Sequence, residues 1–206
     1  SSTLEKTSAI YPIDFELRYF KPEKLKIIFP TFLDFKDTLY FFDELSDAPI
    51  EDEYTIKLKS YLTYKVSNRF TFLNQALQKG KRTVDLAVHL SADTNCNYIF
   101  CIEAKFLPDS YYVTGKDTAA IKRFRKCEHG LNKRNGIPLS ENGIVAYVKK
   151  GKNVVHQTKI NDKIIELAAS KKADQFGLIW SKAEKLEFIP KSNSQLISNH
   201  PRIDKS

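Results

Sequence analysis

The chain has 206 residues, which predicts one domain, and 42% of them are hydrophobic, enough for a core and too many for a disordered chain. No run of about 18 apolar residues and no signal-peptide pattern occurs, so we expect no contact with a membrane. The formal charge of +8 favours a polyanionic partner. The three cysteines have no Cys-x-x-Cys spacing and are expected to be reduced thiols, which indicates a cytoplasmic protein.

Aromatic side chains crowd residues 1–50, and we expect this stretch to form an extension that packs on the main body. Within it, Asp34-Phe35-Lys36 is an acidic-x-Lys triplet, with Pro12-Ile13-Asp14 upstream. A catalytic strand at this position would have to run through Pro30, and proline cannot donate to a central β-ladder. This triplet is therefore a weaker candidate than the one described below.

A long helix is predicted next, because apolar residues recur at helical spacing between Asp52 and Lys79, with a stop near Gly80. The residues that carry this spacing are Leu58, Leu62, Val66, Phe70, Leu73 and Leu77. Glu51, Asp52 and Glu53 lie at its start, where acidic side chains complement the positive end of the helix dipole.

A β-hairpin is predicted after the helix. The run Thr83–Leu90 alternates polar and apolar residues, which is typical of a half-buried strand. A second strand-like run, Asn97–Phe106, follows the polar turn Ser91–Asn95. If the hairpin folds symmetrically about Thr94, residues equally distant from it face each other across the ladder.

Two carboxylates and an ammonium group are expected to converge on this hairpin. Asp85 and Glu103 lie equally far from the centre of the turn, so their Cβ atoms should be about 5 Å apart, with Lys105 on the same face. Opposed like charges destabilise a sheet, whereas Mg²⁺ binds one or two carboxylates together with water and phosphate oxygens. Lys105 could then orient or deprotonate a water, or neutralise charge on a phosphate. Ala87 and Cys101 are small and should leave room for a ligand on this face, while the opposite face forms the core.

An Asp followed, after a spacer, by Glu-x-Lys on the adjacent strand resembles the PD-(D/E)XK nuclease superfamily, at Asp85, Glu103 and Lys105. The resemblance implies a restriction-endonuclease-like α/β fold, with a mixed central β-sheet flanked by helices, over about residues 50–190. It also implies Mg²⁺-dependent hydrolysis of DNA, with Asp85 and Glu103 on the metal, Lys105 serving the nucleophile, and Mn²⁺ able to replace Mg²⁺. Thr83-Val84 stand where the family's motif has a proline.

The resemblance further implies an acidic residue on the preceding helix that can bind a second metal. We select Glu53, with Glu44 and Glu51 as alternatives. The commonest setting of such an enzyme is a restriction or related defence nuclease, acting as a homodimer or in a larger restriction or repair assembly. Two other readings stay open: a non-catalytic nucleic-acid-binding module on the same fold, and a basic protein-interaction domain, which would leave the opposed carboxylates unexplained.

The segment after Lys105 carries the candidate nucleic-acid contacts. Tyr111, Tyr112 and Lys116 lie in a predicted loop beside the site. A helix predicted from Asp117 to Leu131 follows, with basic residues that are candidates for phosphate contacts: Lys122, Arg123, Arg125 and Lys126. His129 near its end fits a proton donor, a phosphate contact, or a cation at the helix C-terminus.

The rest of the chain predicts the completion of an α/β order. Gly143–Val148 is typical of a buried strand, and Asn161 is expected to cap a helix through about Ala173. The runs 176–180 and 186–189 are predicted to pair as a closing hairpin. Residues 191–206 are polar and are expected to form a flexible tail.

Overall fold

A four-stranded mixed sheet with flanking helices lies at the centre of the structure, which confirms the predicted α/β class. The computed structural model describes residues 51–66, 70–78, 82–107, 119–148, 153–174, 177–188 and 196–203. The elements in chain order are α1 (Glu51–Val66), β1 (Phe70–Leu77), β2 (Thr83–Leu90), β3 (Phe100–Leu107), α2 (Ala120–Arg125), β4 (Gly143–Val148), α3 (Asn153–Ser170), a 3-10 helix (Lys182–Glu184), β5 (Glu187–Phe188) and β6 (Leu196–Ile197). The aromatic extension, the triplet at Asp34 and the alternative ligand Glu44 lie outside the described residues.

The sheet has the order β1-β2-β3-β4, with antiparallel pairs from β1 to β3 and a parallel pair between β3 and β4. The β2–β3 register pairs Leu86 with Ile102, Ala87 with Cys101 and Val88 with Phe100. One further step along this register brings Asp85 level with Glu103. The predicted hairpin centre at Thr94 is therefore confirmed.

The predicted helix from Asp52 to Lys79 is wrong beyond Val66, because Phe70–Leu77 forms edge strand β1. Its Phe70 and Phe72 are buried, with the half-buried Thr71 between them. Aromatic and β-branched residues favour a pleated, half-buried surface. Pairing with β2 also gives this segment cross-strand contacts that it would not have as an extension of the helix.

Helix α2 is much shorter than the predicted span from Asp117 to Leu131. It ends at Arg125, and the chain then turns through Cys127 and Gly130, both at positive φ. Gly130 has φ +72°, and a Cβ there would lie 2.5 Å from Asn142 Oδ1, so the turn requires glycine at this point.

Helix α3 begins at Asn153, eight residues before the predicted cap. Asn161 lies inside the helix, where its side-chain amide donates to the Leu186 carbonyl and its Oδ1 accepts from the Leu186 N–H. The predicted closing hairpin is also wrong, because Glu187–Phe188 pairs with Leu196–Ile197 and, over the described residues, not with 177–180. Over residues 196–203 the predicted flexible tail is contradicted, since Leu196, Ser198 and His200 are buried.

Both faces of the sheet are covered. Helix α1 packs mainly on β1, and Thr55 hydrogen-bonds the Tyr147 hydroxyl on one face. Helix α2 covers the other face, where Ala87 and Cys101 belong to the same buried cluster as Phe124. Both small residues are fully buried, so the predicted open space beside them is filled by the helix. Within the described ranges, no helix combines the length and apolar composition that crossing a membrane requires.

Candidate metal and catalytic site

Three carboxylates surround the ammonium group of Lys105. Its Nζ lies 3.2 Å from Glu51 Oε1, 3.5 Å from Glu103 Oε2 and 3.7 Å from Asp85 Oδ2. The same group donates to the Ala104 carbonyl oxygen at 2.6 Å. The structure thus brings together the three residues that the sequence singled out on the hairpin, and it adds Glu51 from α1.

Asp85 is fixed by the backbone of the neighbouring strand, because the Ala104 N–H donates to its Oδ2 at 2.7 Å. On the other side, the Gln75 amide nitrogen lies 3.5 Å from Asp85 Oδ1, and Thr83 donates to the Gln75 side-chain oxygen. Gln75 has φ +47°, an uncommon backbone conformation for a residue with a Cβ. Sequence reasoning missed Gln75 because the residue fell inside the predicted helix. The signal that could have found it is a second hairpin: Phe70–Leu77 and Thr83–Leu90 have the same length and lie on either side of residue 80.

Glu103 is enclosed by cationic and polar partners and is 0% exposed. Its Oε1 is hydrogen-bonded to Nδ1 of the buried His129, while its Oε2 lies 3.2 Å from Arg123 Nη1 as well as near Lys105. His129 reaches Glu103 from the turn that follows α2, not from a helix C-terminus. The interpretation of His129 as a cation that only caps a helix is therefore wrong.

The surroundings shift the titration of the three central groups in different directions. Burial, and next the charge of Glu103, raises the pKa of Asp85 to about 6. Burial alone would raise the pKa of Glu103, but the hydrogen bond to His129 and nearby cationic charges outweigh it and lower the pKa. Burial alone would lower the pKa of Lys105, but the carboxylates of Glu103, Asp85 and Glu51 raise it. Lys105 is therefore a cation in this state.

Of the acidic residues at the start of α1, Glu51 reaches the site and Glu53 does not. Glu51 contacts Lys105 from the first turn of α1, whereas Glu53 is exposed. Two residues along a helix correspond to a rotation of about 200°, so the two side chains project from nearly opposite sides of α1. The structure thus places Glu51, one of the alternatives, beside the other two carboxylates and leaves Glu53 away from them; a ligand role for either residue stays a prediction.

Two of the predicted phosphate contacts are part of the core. Arg125 is 1% exposed, with its guanidinium 4.0 Å from the Trp180 ring centroid and its Nη1 3.6 Å from Glu184 Oε2. Lys126 is also buried. Lys122 and Arg123 are half-buried, and both remain candidates for phosphate contacts. Tyr111, Tyr112 and Lys116 lie outside the described residues.

The residues present suit a hard divalent cation. Asp85, Glu103 and Glu51 supply carboxylate oxygens, the ligands that Mg²⁺ prefers, and they already converge on a positive charge, that of Lys105. Among the described residues, no group of three or more His, Cys, Asp or Glu side chains is arranged as a ready cation cage. Mg²⁺ does not require such a cage, since it takes one or two carboxylates and completes its shell with water and phosphate oxygens.

Comparison with known proteins gives no relative: no family model, curated protein or solved structure matches the chain. The structure itself establishes an α/β class with a mixed four-stranded sheet. The functional class therefore depends on the chemistry of the Asp85, Glu103 and Lys105 site.

Proposed function

We propose that the chain is a Mg²⁺-dependent DNA endonuclease with a restriction-endonuclease-like fold, of the kind that serves restriction or a related defence. The observation that carries this proposal is the convergence of Asp85, Glu103 and Glu51 on Lys105 beside a mixed sheet. Opposed carboxylates on adjacent strands destabilise a sheet that has only a structural role. A bound metal would offset the repulsion between Asp85 and Glu103 and would account for their position.

The roles of the side chains follow from their surroundings. Asp85 and Glu103, with Glu51 as the accessory ligand, would hold the ion. When bound there, Mg²⁺ would polarise a phosphate oxygen and lower the pKa of a bound water. Lys105 is an ammonium group with a raised pKa, so it would donate a hydrogen bond and stabilise the negative charge that builds as water attacks phosphorus and a bridging P–O bond breaks.

The substrate we propose is DNA, held by its phosphates. The formal charge of +8 supports a polyanionic partner, and Lys122 and Arg123 lie on the helix that covers the acidic face. Because one active site cuts one strand at a time, cleavage of a duplex would bring two copies of the chain together, as a homodimer or within a larger assembly.

A second candidate is a non-catalytic nucleic-acid-binding module on the same fold. One observation favours it: Glu103 is fully buried and both of its oxygens are engaged by side chains of the protein. In that case Lys105 and Arg123 would be permanent counter-charges of Glu103, His129 would keep its hydrogen bond to the other oxygen, and no metal would be needed.

Plasmid cleavage separates the two candidates. The wild-type protein is incubated with supercoiled plasmid in Mg²⁺, in Mn²⁺ and in chelator, beside Asp85→Asn and Glu103→Gln. We expect nicked or linear product with either metal and none in chelator, with a loss of at least about 100-fold in each variant. Binding of DNA without any cutting in either metal would favour the non-catalytic module.

Glu51 and Glu53 form a matched pair for the metal site. Glu51→Gln should weaken the rise in melting temperature that Mg²⁺ produces, because Glu51 faces Lys105 and the other carboxylates. Glu53→Gln removes the same charge from the same helix turn and should leave the metal-dependent shift unchanged. Equal shifts in both variants would show that Glu51 is not a ligand.

A further inference from the structure

Two cations share one oxygen of Glu103. Arg123 Nη1 lies 3.2 Å from Glu103 Oε2, and Lys105 Nζ lies 3.5 Å from the same atom. The other oxygen, Oε1, is engaged by His129. An ion that joins Glu103 to Asp85 and Glu51 would approach Oε2, because this oxygen faces Lys105, the group on which the three carboxylates converge, and Arg123 already neutralises it.

The charge balance of the site changes sign when a divalent ion is added. Without metal, the carboxylates of Glu51, Asp85 and Glu103 exceed the positive charges of Lys105 and Arg123 by one. A divalent cation would leave the same set with an excess of one positive charge. Because Glu103 is fully buried, water screens this excess poorly. One of the two side-chain cations is then expected to leave.

Of the two cations, Arg123 is the one that can move away from Glu103 more easily. Its side chain is 24% exposed, compared with 17% for Lys105. Lys105 also donates to the Ala104 carbonyl oxygen, a backbone contact that does not involve the carboxylates and would remain when an ion binds. Arginine pairs with phosphate in a two-pronged geometry, which gives a released guanidinium a strong alternative partner.

We propose that Arg123 is an exchangeable counter-ion of the site. It pairs with Glu103 in the metal-free protein and moves to a phosphate oxygen of the nucleic acid once a divalent cation occupies the carboxylates. This inference rests on the proposed function. Arg123 would then lower the affinity of the site for metal in the absence of substrate and bind a phosphate in its presence. The metal affinity would be highest when a phosphate is present to pair with the guanidinium.

Metal affinity in the absence of nucleic acid tests the exchange. Calorimetric titration with Mn²⁺ and Mg²⁺ compares the wild-type protein, Arg123→Gln, and the control Lys163→Gln, which removes an equal charge from an exposed pair with Glu166 on α3. We expect Arg123→Gln to bind the ion about tenfold more tightly and Lys163→Gln to match the wild type, since of these two residues Arg123 contacts the site and Lys163 does not. The affinity of Arg123→Gln for duplex DNA in the presence of metal should fall.

Chemical labelling of the wild-type protein gives a second readout that needs no variant. Phenylglyoxal modification followed by mass spectrometry should label Arg123 faster in Mg²⁺ than in chelator, while Arg82, with half of its side chain exposed, serves as the reference. Unchanged labelling, or an Arg123→Gln protein that binds metal no more tightly than wild type, would overturn the exchange while the nuclease assignment stands. A wild-type protein that binds neither ion would overturn both.

Discussion

The carboxyl groups of Asp85 and Glu103 lie side by side, yet their surroundings act on them in opposite ways. Burial beside a second carboxylate raises the pKa of Asp85 to about 6, whereas cationic partners lower the pKa of Glu103. Environments that separate two carboxyl groups in this way assign them different roles. The lowered pKa of Glu103 favours its ionised form, and Asp85 is the group that gains more from a bound proton or a bound cation.

Asp85→Asn should stabilise the metal-free protein at pH 7.5 by up to about 3 kcal/mol, the free energy of a pKa raised from 3.8 to about 6. Between about pH 4 and 6 the folded protein keeps a proton that the unfolded chain has lost, so wild-type stability falls as the pH rises through this window. Asparagine resembles the protonated acid and should remove that fall. Urea unfolding in chelator at several pH values measures this dependence of stability on pH. If Asp85→Asn were less stable than wild type at pH 7.5, burial of the ionised Asp85 carboxylate would not be destabilising.

Lys105→Ala should abolish DNA cleavage while binding of DNA in Mg²⁺ is largely retained. Lys105 contacts all three carboxylates but is not itself a ligand, so its loss removes a contact to the transition state and leaves the oxygen donors in place. We expect turnover to fall by about 100-fold or more. Single-turnover cleavage and fluorescence anisotropy on one labelled duplex separate the two effects. Cutting at the wild-type rate would show that Lys105 has no part in the chemistry.

At the scale of an element, helix α2 divides its basic residues between two tasks. Arg123 reaches Glu103 in the candidate site, and Arg125, two residues on, projects about 200° away around the helix. Arg125 meets a buried network in which Glu184 accepts from His200, and His200 contacts the Ser198 hydroxyl. The network fastens the C-terminal segment 196–203 to α2, so the helix that supports the site depends on the end of the chain.

Arg125→Met should lower the free energy of unfolding by about 3 kcal/mol or more, because it leaves the buried Glu184 without its cationic neighbour and removes the guanidinium from the Trp180 ring. Lys122→Met, on the half-buried side of the same helix, should change it by less than about 0.5 kcal/mol. Chemical denaturation of both variants gives the comparison. Similar values for the two would mean that the Arg125 network adds no stability.

Local pattern was enough to predict the β2–β3 hairpin and β4, because period-two alternation and a polar turn fix the register within a short stretch. It failed at Phe70–Leu77, where the apolar spacing fits a helix as well as a strand and only pairing with β2 decides. It also failed to separate Arg123 from Arg125. Their environments are set by Glu103 and Glu184, which are distant in sequence, so no local pattern could distinguish them.

At the scale of the whole molecule, the positive charge and the acidic site have complementary effects. If the partner is a nucleic acid, as we propose, a formal charge of +8 would attract it from a distance, while the carboxylates of the site would repel its phosphates unless a cation lay between them. Binding in chelator should therefore use cations other than Lys105 and Arg123, which contact the carboxylates. Binding in metal should add contacts at the site itself.

Salt dependence measures the first contribution. Each phosphate contact releases counterions from DNA, so the logarithm of affinity in chelator should fall linearly with the logarithm of salt concentration, by about 0.9 per contact. Lys122→Ala should reduce this slope by about one, because Lys122 is half-buried on α2 beside the site. Lys163→Ala should leave it unchanged, since Lys163 is paired with Glu166 on α3. Fluorescence anisotropy of a labelled duplex from about 50 to 400 mM KCl gives the slopes. An affinity that stays flat over this range would show that the positive charge serves something other than nucleic acid.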